Sequence, residues 1–104
     1  MTLRPPRFSA RTAPIAALDY EVAQEQASAL GRLGRALETA LAALADYQGV
    51  GDGARARLVA DASDALWCFI VQREACGLRD PRPVIRQYRV PAEVYARMGA
   101  FRRS

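Results

Sequence analysis

The chain has 104 residues, a length typical of a single domain. All 15 basic residues are arginine, 11 residues are acidic and the net charge is +4, with no Lys, His or Asn anywhere in the sequence. Without His and Lys the chain lacks the commonest general base, the Schiff-base amine and the phosphate-loop lysine. No apolar run reaches the roughly 18 residues of a membrane span, and the start, MTLRPPRFSART, lacks the apolar region of a secretory signal. We therefore expect a cytoplasmic protein without membrane contact, cofactor or metal.

The first predicted element is a flexible N-terminal arm over residues 1–12, which contain Pro and Arg without a periodic pattern. Residues 13–104 then form a single helical domain. From Pro14 to about Gln48, apolar residues recur three or four apart, which predicts one helix of about 50 Å. These positions are Ile15, Leu18, Val22, Leu30, Leu33, Leu37, Leu41 and Leu44.

A glycine-rich turn at residues 49–53 separates this helix from the next, for which Asp52 is the expected cap. The second helix is predicted over residues 54–76. Its segment 66–71, LWCFIV, is apolar on every side and therefore needs cover from more than one direction. Gly77 is expected to end the helix in a left-handed conformation, with Leu78 as the apolar residue that follows.

Two short helices complete the predicted domain. Asp80 and Pro81 favour a third helix from residue 81 to about 88, and Val90-Pro91 favours a fourth that ends at Gly99. The predicted fold is all-α, with a long antiparallel helical hairpin followed by two short C-terminal helices that fold back near the start of the first helix.

Two blocks in the C-terminal half, LWCFIVQREACGLRD (66–80) and VIRQYRVPAEVYARMG (84–99), are similar to a small family of uncharacterised bacterial proteins of comparable length. That family is an all-helical domain of unknown function. The resemblance implies a helical fold and transfers no activity and no functional residues.

Arg73 is a polar anomaly at the centre of the apolar face of the second helix. An antiparallel hairpin places it near residue 28 of the first helix. Since a buried charge needs partners, we expect hydrogen bonds from Arg73 to Gln26, Glu25 or Asp19. The alternative is that Arg73 binds an anion in a pocket.

Basic charge accumulates at the C-terminal end, where residues 79–104 hold seven Arg and two acids. Residues 13–28, by contrast, hold three acids and no base. The predicted fold brings these two regions together, so internal ion pairing is the expected role of the arginines. The alternative is an acidic partner, either a protein or a nucleic acid. The stripe consists of Arg79, Arg82, Arg86 and Arg89.

A second packing face is predicted beside the leucine stripe, because small residues there allow close approach of another backbone. This face and the all-round apolar segment each need cover. The short C-terminal helices can cover one of them and a second copy of the chain the other, which predicts a homodimer. The residues of this face are Ala23, Ala27, Gly31, Gly34, Trp67 and Val71.

Two further groups carry weaker chemical signals. Cys68 and Cys76 are too far apart on one helix for a disulfide and are expected to be small buried apolar residues in a reducing compartment. Glu38, Asp61 and Asp64 raise the alternative of a magnesium-dependent phosphohydrolase of the all-helical type. The favoured function is a non-catalytic interaction or regulatory protein that acts as a homodimer, and a nucleic-acid-binding module is the other alternative.

Overall fold

A computed structural model of the chain describes residues 6–51 and 53–103, with side chains for 15–51 and 53–99. It contains four helices in the described part, α1 (Pro6–Asp46), α2 (Ala54–Ala75), α3 (Arg82–Gln87) and α4 (Ala92–Arg103). α1 and α2 form a long antiparallel hairpin, and α4 packs against α2. The predicted all-α class, with a long hairpin and two short helices, is confirmed.

Two helix boundaries differ from the prediction. α1 begins at Pro6 and continues through Pro14, so residues 6–12 belong to the helix rather than to an arm. Pro6 suits a first helical turn because the N–H it lacks has no partner there. Residues 1–5 of the predicted arm lie outside the described part. α4 continues past Gly99 to Arg103.

The end of α2 follows the prediction closely. Gly77 has a φ of 91°, and its N–H donates to the carbonyl of Glu74 at 3.0 Å, while the N–H of Leu78 donates to the carbonyl of Arg73 at 2.8 Å. This pair of hydrogen bonds is a Schellman motif. At the other end of α2 the N-cap residue is Gly53, and the predicted cap, Asp52, lies outside the described residues.

The start of α3 is organised by Asp80, as predicted. Its carboxylate accepts a hydrogen bond of 3.0 Å from the backbone N–H of Arg82, although the N-cap position itself is Pro81. The carboxylate thereby supplies a partner for one of the N–H groups that a helix start leaves unpaired.

The core lies between α1, α2 and the C-terminal helices. Within the predicted all-round apolar segment of α2, Leu66, Phe69 and Ile70 are buried, whereas Cys68 and Val71 are exposed. α1 packs on one face of α2 and α4 on another. Each of these helix contacts removes apolar side chains from water and is stabilised by that burial. The buried apolar residues are Leu37, Leu44, Ala62, Leu66, Phe69, Ile70, Val84, Val90, Val94 and Met98.

The path of the C-terminal helices corrects one prediction. They return along α2 toward the closed end of the hairpin, which is the end where the chain turns from α1 into α2. There the Ser63 hydroxyl donates to the Val94 carbonyl at 3.0 Å, and Arg55 pairs with Glu93. The expected position near the start of α1 was based on ion pairing. An exposed ion pair contributes at most about 1 kcal/mol, whereas burying a Val or Met side chain contributes about 1.5–3 kcal/mol. Burial of Val94 and Met98 therefore explains the direction of α4.

α1 is much longer than the helix that covers it. Gly34 lies opposite Phe69, so the last residue of α2, Ala75, reaches only the level of about residue 28 in α1. Residues 6–27, called the overhang below, extend roughly 33 Å beyond that level at 1.5 Å per residue. The overhang accounts for the elongated shape of the chain, 73 × 26 × 20 Å. In the part of the chain that the structure describes, no helix is both long and apolar enough to cross a membrane.

Candidate functional site

The overhang carries an apolar stripe with no cover. Ile15 is 60% exposed, Leu18 60% and Val22 54%. Their spacing continues the face on which Leu37 and Leu44 are buried against α2. The face of α1 that is buried in the core in the second half of the helix is therefore exposed to solvent in the first half.

The part of the overhang with described side chains, residues 15–27, is acidic. Asp19, Glu21 and Glu25 are all exposed, and none of them takes part in an ion pair with another described side chain. Residues 15–27 of the overhang thus combine an uncovered apolar stripe with a local excess of negative charge.

Arg73 does not make the predicted contacts. Its Nη2 donates to the backbone carbonyl of Asp80 at 3.1 Å, and its Nε is buried without a partner. Among the described side chains there is no hydrogen bond from Arg73 to Gln26, Glu25 or Asp19. The reason is local: the chain turns sharply after Gly77, which brings the Asp80 carbonyl within reach of Arg73.

The arginine stripe is also placed differently from the prediction. The expected pairing with the acids of α1 is absent among the described side chains, because α3 and α4 turn toward the closed end while the acids lie on the overhang. Arg82 pairs instead with Asp80 at 2.9 Å. Arg79, Arg86 and Arg89 are exposed and form no ion pair with a described side chain.

The pair of Asp80 and Arg82 is local and exposed. Hydrogen bonds from the Arg82 side chain and backbone N–H lower the pKa of Asp80 from 3.8 to about 2, and the same contact raises the pKa of Arg82. Asp80 therefore stays ionised well below neutral pH. This pair occupies Arg82 and leaves the rest of the stripe available.

The predicted second packing face is divided by the structure. A Cβ on Gly34 would lie 2.8 Å from the Tyr88 hydroxyl and 3.6 Å from the Phe69 ring, so this glycine serves a contact within the chain rather than a dimer. For Gly34 the cover comes from the end of α3, as the alternative of a second packing face within the chain allows. Gly31 and Trp67 are half-buried, whereas Ala23, Ala27 and Val71 are exposed, and their role in a dimer stays a prediction.

Residues 6–104 match the family of unknown function DUF6665. The chain belongs to this family. The match covers the overhang, the hairpin and both short helices, and it confirms the resemblance to a family without a known function. No curated protein and no solved structure matches the chain.

A groove that the sequence did not reveal lies at the closed end of the hairpin in the DUF6665 chain. It has a volume of 470 Å³ and is lined by residues from three parts of the chain, among them Leu41, Tyr47, Arg55, Arg89 and Glu93. Arg55 pairs across the groove with Glu93. No local motif signals the groove, because its walls meet only after α4 has packed on α2.

Both cysteines are free, but Cys68 is exposed, so the expectation that it is buried was wrong, and Cys76 is half-buried. Cys68 lies on a side of α2 that neither α1 nor α4 covers. Within the described residues, Glu38, Asp61 and Asp64 are not part of any group of three or more His, Cys, Asp or Glu placed to hold a metal ion.

Proposed function

We propose that this DUF6665 protein is a non-catalytic interaction or regulatory protein of the bacterial cytoplasm, and that it acts as a homodimer formed through the overhang. The absence of His and Lys supports a non-catalytic role, since these side chains supply most general bases and amine nucleophiles. The two free cysteines are typical of a reducing compartment. The exclusive use of arginine as the basic residue, with abundant alanine, favours a GC-rich bacterial genome.

The observation that carries the proposal is the uncovered apolar stripe of Ile15, Leu18 and Val22. A single helix in water is marginally stable, and helices in proteins derive most of their stability from packing of an apolar face. Burying three such side chains would contribute several kcal/mol, at about 1.5–3 kcal/mol each. An exposed apolar stripe of this kind marks an interaction site.

A second copy of the chain is the occupant we favour. Two-fold dimers are the commonest soluble oligomers, and each copy offers both an overhang and a body on which another overhang can pack. The body has apolar residues of its own at the surface, namely Val71 at 43% exposure, Leu78 at 48% and Tyr95 at 43%. The homodimer therefore buries apolar surface from both partners.

The molar mass in solution tests the proposal. Light scattering coupled to gel filtration should give twice the chain mass of 11.4 kDa for the wild type. Val22→Glu should give the monomer mass with unchanged helix content, because it places a charge in the apolar stripe. A wild-type monomer contradicts the homodimer.

A matched control separates the stripe from the general effect of added charge. Gln24→Glu adds the same charge to the same helix at an exposed position on another face, so it should remain dimeric. If Val22→Glu stays folded and dimeric, the overhang is not the interface.

A further inference from the structure

We propose that charge selects the second copy, with the overhang acids Asp19, Glu21 and Glu25 of one protomer facing Arg79, Arg86 and Arg89 of the other. This inference rests on the proposed homodimer and adds the basis of its recognition and register. It assigns a role to two charged surfaces that form no ion pair with each other among the described side chains.

The two surfaces are complementary in sign and similar in size. Residues 13–28 hold three acids and no base, and all three acids are exposed without an ion pair among the described side chains. Residues 79–89 hold four Arg and one acid, and that acid, Asp80, is paired with Arg82. Three exposed arginines therefore remain for three exposed carboxylates.

The positions of the acids and of the arginine stripe along α1 suit a dimer in which the acids of each copy face the arginine stripe of the other. The hydrogen bond from Arg73 to the Asp80 carbonyl sets the start of the stripe at the end of α2. The Tyr88 hydroxyl lies beside Gly34, which sets the rest of the stripe farther toward the closed end. The acids lie in the other direction along α1, beyond the end of α2 and on the overhang.

A two-fold axis perpendicular to α1, near the end of α2, exchanges these two regions. The overhang of one copy then lies beside the arginine stripe of the other, and the symmetry forms the same contact twice. The apolar stripe supplies most of the affinity of such an interface, whereas the charges set its specificity, its register and its dependence on salt.

Charge reversal tests the proposal. The acid-reversed variant is Asp19→Arg, Glu21→Arg, Glu25→Arg, and the arginine-reversed variant is Arg79→Glu, Arg86→Glu, Arg89→Glu. Arg82 is left unchanged because it holds Asp80. Each variant alone should be a folded monomer, since each places like charges opposite one another. An equimolar mixture should form a heterodimer, because both contacts are then attractive, and native mass spectrometry should resolve it from either homodimer.

A charge-matched control excludes a simple effect of net charge. Arg32→Glu, Arg35→Glu, Arg57→Glu reverses three exposed arginines outside the stripe and gives the same net charge as the arginine-reversed variant. This control should remain a homodimer at moderate salt and should not pair with the acid-reversed variant in preference to itself.

The outcomes separate this inference from the proposed homodimer. A monomeric wild type overturns both. A dimeric wild type whose two reversed variants also remain dimeric, or two monomeric variants that do not pair on mixing, overturns the role of charge and leaves the homodimer in place. A dimeric arginine-reversed variant that loses wild-type binding to a duplex DNA probe would assign the stripe to nucleic acid and overturn the inference.

Discussion

Arg89 is the residue whose backbone is least expected from its identity. Its φ is +53°, and it ends α3 in the position that Gly77, with a φ of 91°, has at the end of α2. The N–H of Arg89 donates to the Arg86 carbonyl and that of Val90 to the Ile85 carbonyl, so both helices end in the same motif. An L-residue in the left-handed conformation costs about 1–2 kcal/mol, a cost that glycine avoids.

The two helix ends predict opposite responses to substitution. Arg89→Gly should stabilise the fold by roughly 0.5–1 kcal/mol, because relief of strain exceeds the entropy that glycine adds to the unfolded chain. Gly77→Ala should destabilise it by about 1 kcal/mol. A Cβ at Gly77 meets no atom within 4 Å, so this loss is conformational alone. Urea unfolding of both variants in a Val22→Glu background keeps dimerisation out of the measurement. A destabilised Arg89→Gly would show that the arginine side chain contributes contacts that outweigh the strain.

These two residues also show what a sequence reveals at this scale. The left-handed end at Gly77 could be predicted because glycine after an apolar helix is a strong stop signal. The same conformation at Arg89 could not, since arginine carries no such signal and the turn is imposed by the burial of Val90.

At the scale of elements, close contact between α1 and the end of α3 depends on Gly34. The Tyr88 ring packs edge-on against Phe69 with ring centroids 5.6 Å apart, and its hydroxyl lies over Gly34. A Cβ there would be 2.8 Å from that hydroxyl, closer than normal packing allows. Glycine lowers the helix propensity of α1 at this position and makes room for the tyrosine.

A double-mutant cycle tests this balance. Gly34→Ala in the wild-type chain should give little stabilisation, because the gain in helix propensity is offset by displacement of Tyr88. In a Tyr88→Phe background the same change should be about 1 kcal/mol more favourable, since the obstructing oxygen is gone. Gly31→Ala is the control, because its Cβ would lie 3.5 Å from the Arg35 guanidinium, an ordinary contact, and it should stabilise both backgrounds equally. Equal effects of Gly34→Ala in the two backgrounds would contradict the contact.

The elements themselves could be predicted, but their packing could not. Leucine periodicity, the glycine turn and the Asp80-Pro81 start indicated four helices and the hairpin. The direction of α4 depends on the burial of Val94 and Met98 against α2, and charge pattern alone pointed to the opposite end. The overhang follows from the difference in length between α1 and α2. The predicted lengths of the two helices already differed. Because the C-terminal helices were expected near the start of α1, the sequence did not predict that this part of α1 is uncovered.

At the scale of the whole molecule, the overhang makes the chain asymmetric along its length. One end contains the core, where α1, α2 and α4 pack together, and the other is a single helix with an apolar stripe and three acids. A two-fold arrangement near the boundary between these ends covers the single helix in both copies. An arrangement in which only the helix tips meet would leave most of each stripe in water.

The shape of the dimer separates these two arrangements. With the two-fold axis near the end of α2, the copies lie side by side, so the maximum dimension of the dimer should stay close to the 73 Å of one chain. A contact between tips would give a particle approaching twice that length. Small-angle X-ray scattering of the wild type at low salt provides the measurement, and the monomeric Val22→Glu variant is the reference, with an expected radius of gyration near 19.9 Å. Raising the salt concentration should shift the wild-type curve toward this reference, since screening weakens the contact between acids and arginines. A dimer nearly twice as long as one chain would contradict the side-by-side arrangement. It would also contradict the pairing of the overhang acids with the arginine stripe.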